Sequence, residues 1–118
     1  MQGMTNGMTN GMTVATLIIY EPSDNTMSTI EFKKNGNEIS PILQDRPIHL
    51  EEKLTGERRA VAEFDLTAIA EYQLAGILNR MRFLIRCSYP HCKQTLSRIT
   101  PEKYNVSYLI SIEDPDEK

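Results

Sequence analysis

The chain of 118 residues contains no tryptophan, and its aromatic residues together make up only 7% of it. A core with so few aromatic side chains must be built mainly on Leu, Ile and Val. Only two cysteines are present, too few for the disulfide framework that stabilises small secreted domains. We therefore expect a cytoplasmic protein whose thiols are reduced.

Long hydrophobic runs are also missing. No apolar segment approaches the roughly 18 residues that a membrane-spanning helix requires, and the first residues lack the basic and apolar regions of a signal peptide. We expect no association with membranes.

The motifs that mark common catalytic sites are absent from the sequence as well. There is no Ser-His-Asp pattern, glycine-rich phosphate loop, H-E-x-x-H motif or distinctive pair of carboxylates. We therefore favour a protein without catalytic activity and expect no cofactor. An active site assembled from distant strands, which leaves no such signature, is the weaker alternative.

What is present is typical of one globular domain, with 40% hydrophobic and 25% charged residues. Residues 1–13 repeat the tetrad GMTN and have no apolar face to bury, so they predict a flexible leader. A single domain is expected over residues 14–112, followed by an acidic tail over 113–118.

Short β-branched or alternating runs predict strands over 14–20, 28–34, 38–44, 58–64 and 104–112. Asn35-Gly36 indicates a hairpin with a type I′ turn, and Pro41 places the return strand at a sheet edge or a bulge. Residues 48–54 and 58–64 flank a short polar linker and predict a second hairpin. A helix over 48–54 is the alternative, because Glu, Lys and Leu favour helices.

One helix is predicted over residues 66–86, with Asp65 as its N-cap and an apolar stripe along one side. Pro90 ends it, and residues 93–99 are expected to add one or two helical turns. The predicted fold class is α+β: an antiparallel sheet of five to six strands packed against one long amphipathic helix as a two-layer sandwich.

The net charge of −3 hides a basic region. Six basic residues and one acidic residue lie between Arg80 and Lys103. Within this region, four residues form a candidate site for an anion such as a nucleotide or a nucleic-acid backbone: Arg82, Arg86, Lys93 and Arg98. Tyr72, Phe83 and Tyr89 would supply stacking planes. The alternative is that the two helical arginines form a solvated face.

A second stripe of the helix suggests self-association. Tyr72, Gly76, Asn79 and Phe83 follow one another at spacings of 4, 3 and 4, outside the main apolar side. Glycine in a helix interior costs about 0.5–1 kcal/mol relative to alanine but allows close backbone approach. The stripe predicts a homodimer contact, unless other parts of the same chain cover Tyr72 and Phe83.

The cysteines and histidines suggest zinc or thiol chemistry only weakly. Cys87, His91, Cys92 and His49 would make a four-ligand set, but His91 and Cys92 are adjacent and point in opposite directions in an extended chain. We expect no metal site. Cys92 lies between His91 and Lys93, and neighbouring cations favour a thiolate.

The leading functional hypothesis is a small non-catalytic binding protein that acts by protein–protein association and self-associates through its helix. The second is an anion-binding module for a nucleotide or nucleic acid that uses the basic region. The third is a small thiol-dependent enzyme centred on Cys92 and His91.

Overall fold

The computed structural model describes residues 11–43, 48–49, 57–99 and 104–114. Within these ranges the chain forms seven strands and one helix. In chain order they are β1 (Met12–Glu21), β2 (Thr26–Asn35), β3 (Glu38–Leu43), β4 (Ile48–His49), β5 (Arg59–Asp65), α1 (Glu71–Ser88), β6 (Lys93–Ile99) and β7 (Asn105–Glu113).

Six of the strands lie side by side in one antiparallel sheet, in the order β3-β2-β1-β5-β7-β6, and the short β4 pairs with β2. Helix α1 leads from the inner strand β5 to the edge strand β6, and β7 returns between these two strands. An α+β fold made of a six-strand antiparallel sheet and one helix, as the sequence predicted, is therefore confirmed.

The core lies between α1 and one face of this sheet. Alternate residues of β1, β2, β5 and β7 point to that face and meet their neighbours in register, as in the pairs Leu17–Ile30 and Phe64–Val106. The helix contributes its buried side chains to the same core: Leu74, Ile77, Leu78, Met81 and Ile85. In the part of the chain described here, no helix is long and apolar enough to cross a membrane.

Helix α1 begins at Glu71 and not at Leu66, so Asp65 is not its N-cap. The Asp65 carboxylate instead accepts hydrogen bonds from the backbone N–H of Thr67 at 3.0 Å and from its hydroxyl at 2.6 Å. The Leu66 N–H donates to the Tyr104 carbonyl. These bonds hold residues 65–68 in a turn, and α1 then spans 18 residues.

Residues 93–99 form strand β6, so the prediction of helical turns there is wrong. The strand pairs with β7 along its whole length, with Leu96 opposite Ile110 and Arg98 opposite Tyr108. Pairing with a neighbouring strand supplies backbone hydrogen bonds that local helix propensity cannot outweigh in a segment this short.

The two predicted hairpins have different outcomes. The β2–β3 hairpin forms, with Pro41 on an edge strand, but Asn35 pairs with Glu38 and the turn residues are Gly36 and Asn37. Only Gly36 of these two has a positive φ, of 66°, as in a type II′ turn rather than type I′. The predicted pairing of residues 48–54 with residues 58–64 is wrong over the described residues. Strand β4 pairs with β2, while β5 pairs with β1 and β7.

The domain boundaries from the sequence are only partly within the described ranges. Strand β1 begins at Met12, inside the segment predicted as a leader. Residues 1–10, 50–54 and 115–118 lie outside the described residues.

Because only one side of α1 is buried, substitutions on its two sides should differ greatly in their effect on the free energy of unfolding. Replacing the fully buried Met81 by alanine removes core contacts, and we expect the free energy of unfolding to fall by about 2–5 kcal/mol. Replacing the exposed Arg80 by alanine should change it by no more than about 0.5 kcal/mol. Urea unfolding of both variants checks this, and equal losses would contradict the placement of the helix.

Candidate functional site

The side of α1 that faces away from the sheet carries the predicted interface residues. Tyr72, Gly76, Asn79 and Phe83 are all exposed, and the two aromatic side chains expose 78% and 59% of their surface, respectively. Among the described residues, nothing therefore covers Tyr72 or Phe83. Two aromatic rings on one exposed helix side are unusual for a purely solvated surface, because aromatic residues are enriched at protein interfaces.

Gly76 lies between these rings, and the fold itself does not require a glycine there. A Cβ atom at this position would meet no other described part of the chain within 4 Å. Glycine still costs helix stability. Close approach of another molecule to this surface would account for a glycine at position 76.

A depression of about 410 Å³ lies beside this exposed side, where α1 meets the start of β6. Its lining residues are Asn79, Arg82, Phe83, Arg86, Cys92 and Gln94.

Arg82 is held at the edge of the depression by two hydrogen bonds with Gln94. The Arg82 Nε donates to the Gln94 Oε1 at 3.3 Å, and the Gln94 Nε2 donates to the Arg82 carbonyl at 3.0 Å. These bonds tie the helix to the edge strand. They also orient the guanidinium, whose two terminal nitrogens make no hydrogen bond to the described part of the chain.

The four residues of the predicted anion site are only partly brought together. Arg82 and Arg86 both line the depression, and among the described residues neither has a carboxylate within 4.0 Å. Lys93 points to the opposite face of the sheet, because side chains alternate along β6 and Gln94 points to the helix. The Arg98 guanidinium lies over the Tyr108 ring, 5.9 Å from its centroid.

A half-buried ion pair lies behind the depression. The Arg58 Nε donates to the Glu21 Oε1 at 2.5 Å, and its Nη2 donates to the Glu21 Oε2 at 3.2 Å. The hydroxyl of Tyr89 donates to the same carboxylate at 2.8 Å, and the Arg58 guanidinium lies 4.4 Å from the centre of the Tyr89 ring. Tyr89, which was expected to stack on a base, is therefore already in contact with Arg58.

These contacts shift the pKa values of the group. Burial alone raises the pKa of Glu21, but hydrogen bonds from Arg58, Ser23 and Tyr89 outweigh burial and lower the pKa to about 2. Burial, together with the hydrogen bond to Glu21, raises the pKa of Tyr89 to about 12. The hydrogen bond to Glu21 also raises the pKa of Arg58. All three groups keep their usual charge at neutral pH, so the group is suited to holding structure rather than to transferring protons.

Cys92 connects this ion pair to the depression. Its Sγ lies 3.9 Å from the Arg58 Nη1, and the same residue lines the depression. Cys87 and His91 are exposed. Across the described ranges, no three side chains of the types His, Cys, Asp and Glu are grouped so as to hold a metal ion.

The sequence did not point to Glu21 and Arg58, or to the role of Tyr89. The three residues lie far apart in the chain, 37 positions for the Glu21–Arg58 pair and 68 for the Glu21–Tyr89 pair, and no local pattern distinguishes them from surface residues. Only the sheet topology brings the ends of β1, β5 and α1 together.

Comparison with known proteins finds no relative of this chain. No family model matches the chain, and no curated protein or solved structure is significantly similar to it.

The lowered pKa of Glu21 predicts a specific pH dependence of stability. Because the folded state holds this proton less tightly than the unfolded chain, the stabilisation is present above the ordinary pKa of 4.5 and is lost as the pH falls towards about 2. Glu21→Gln should therefore lower the free energy of unfolding by about 2 kcal/mol at pH 7. The difference from the wild type should shrink between pH 5 and about 2.

Urea unfolding at a series of pH values measures this difference. Glu63→Gln, an exposed carboxylate on β5, is the matched control and should leave the free energy of unfolding nearly unchanged. A Glu21→Gln deficit that stays constant from pH 7 to pH 2 would contradict the role of the ion pair.

Proposed function

We propose that this protein is a small non-catalytic association module and that the exposed side of α1 binds a second copy of the chain. The observation that carries the proposal is the exposure of Tyr72 and Phe83 on either side of Gly76. Aromatic anchors around a point of close backbone approach are typical of the centre of a protein interface.

The packing of α1 supports the same proposal. Its five buried residues occupy the side against the sheet, and the aromatic stripe occupies the opposite side, as expected for an amphipathic helix with an additional contact surface. The cytoplasmic location expected from the sequence is part of the proposal, and it is supported by two cysteines that are not bonded to each other.

Introducing a charge at the centre of the stripe should abolish association. We expect Gly76→Glu to convert the dimer to a monomer, because a charged side chain would have to be buried in the contact. The substitution should not unfold the chain, since a Cβ at this position meets no other described residue within 4 Å and glutamate favours helices more than glycine does. Size-exclusion chromatography with light scattering over a concentration series measures the change.

The control is Asn37→Glu, which adds the same charge at an exposed position in the β2–β3 turn and should leave the dimer intact. A wild-type chain that remains monomeric at the highest concentration reached would overturn the proposal. So would a Gly76→Glu chain that dimerises as the wild type does.

Anion binding at the depression is the second candidate function. It is favoured by two arginines that line one depression without a described carboxylate partner. In this case the depression would hold one phosphate group of a nucleotide, with Phe83 beside it.

Titration with ATP at low salt, followed by calorimetry, tests this candidate. Arg86→Gln should weaken binding about tenfold or more, because a hydrogen-bonded charge pair is lost. Arg80→Gln removes the same charge outside the depression and should have little effect. Added salt should weaken the wild-type binding. Equal losses in the two variants, or no saturable binding, would exclude the site.

A further inference from the structure

The exposed stripe of α1 has a symmetry that bears on how two copies would meet. Tyr72 and Phe83 are equidistant in sequence from the midpoint between Ile77 and Leu78, and so are Gly76 and Asn79. When two such helices run antiparallel about a two-fold axis at this midpoint, Tyr72 of each copy faces Phe83 of the other. Gly76 then faces Asn79, so the smallest residue meets a polar side chain of moderate size.

The charges beside the stripe have a complementary arrangement. At 3.6 residues per turn, Glu71, Arg82 and Arg86 lie on the same flank of the stripe, Glu71 at the start of α1 and the arginines near its end. In the antiparallel arrangement, Glu71 is level with position 84 of the second copy. It therefore lies between Arg82 and Arg86 of that copy.

The depression fits this single carboxylate. Among the described residues, two guanidinium groups line it, and Gln94 already orients one of them through the Arg82 Nε. Glu71 is exposed, and among the described residues no cation lies within 4.0 Å of it. Each copy thus carries one exposed carboxylate and one site of opposite charge on the same flank of the same helix.

We propose that the second copy binds antiparallel to α1 about a two-fold axis between Ile77 and Leu78, with Glu71 of each copy entering the depression formed by Arg82 and Arg86 of the other. This inference rests on the proposed self-association and specifies its geometry. A parallel two-fold pair would place Glu71 of one copy and the arginines of the other on opposite flanks of the contact, so neither charge contact could form. The two-fold arrangement satisfies both charge contacts at once.

Disulfide trapping distinguishes the two orientations. Two variants, Tyr72→Cys and Phe83→Cys, are made in a chain with Cys87→Ser and Cys92→Ser, and one of them is isotopically labelled. Equal amounts are mixed, oxidised and resolved by intact mass spectrometry. Antiparallel pairing predicts that most disulfide-linked dimers contain one copy of each variant. Their fraction should be well above the half expected from random collisions. Parallel pairing predicts disulfides between identical variants, which would overturn the geometry.

A charge exchange in the chain with its own cysteines gives an independent measurement. Glu71→Lys and Arg86→Glu should each weaken the homodimer about tenfold or more, because each places like charges in both contacts. Mixing the two variants should restore a heterodimer close to wild-type affinity, since one contact is reversed and the other is native. Glu71→Lys that pairs better with wild type than with Arg86→Glu would contradict the antiparallel arrangement.

Different outcomes overturn the proposed self-association and its proposed antiparallel geometry. A wild-type chain without any dimer in native mass spectrometry overturns the self-association itself. A dimer that traps identical variants, or that is unaffected by both charge reversals, overturns only the antiparallel geometry.

Discussion

The burial of one side of α1 against the sheet is the contact on which the other features of the molecule depend. Met81 and Ile85 are completely buried there, among strands that contribute small residues such as Ala60 and Ala62 to the same face. Those alanines leave room for the larger helical side chains. Because one helix can bury only one side against the sheet, Tyr72 is left exposed on the opposite side.

The second constraint is the ion pair of Glu21 and Arg58 with the hydroxyl of Tyr89. A half-buried carboxylate is stable in this position because three partners donate hydrogen bonds to it. The group ties the residue that follows α1 to the ends of β1 and β5. The chain therefore enters β6 in a defined place, where Gln94 can bond to Arg82 and complete the wall of the depression. An ion pair outside the exposed stripe thus contributes to the position of the residues that line the depression beside it.

The exposed helix side and the depression belong to one continuous surface, since Asn79 and Phe83 are part of both. Aromatic contact and charge complementarity act differently on such a surface. In the proposed dimer, the exposed stripe would supply most of the affinity, while the charges at its ends would favour one orientation over the other. A phosphate ligand and the carboxylate of a second copy would compete for the same two guanidinium groups.

The sequence by itself predicted most of the strands and the presence of one helix, because burying one face produces an alternating or a helical pattern that is local in the chain. It also predicted a second helical stripe around Gly76 as a contact surface, and the structure leaves the residues of that stripe exposed. It placed the helix start at Asp65, whose carboxylate forms a turn instead, and it assigned helical turns to the residues of β6. Only the tertiary structure decided those points and assembled the group of Glu21, Arg58 and Tyr89. Strand pairing and long-range hydrogen bonds depend on residues that are distant in the chain, and their energies outweigh the small differences in local propensity.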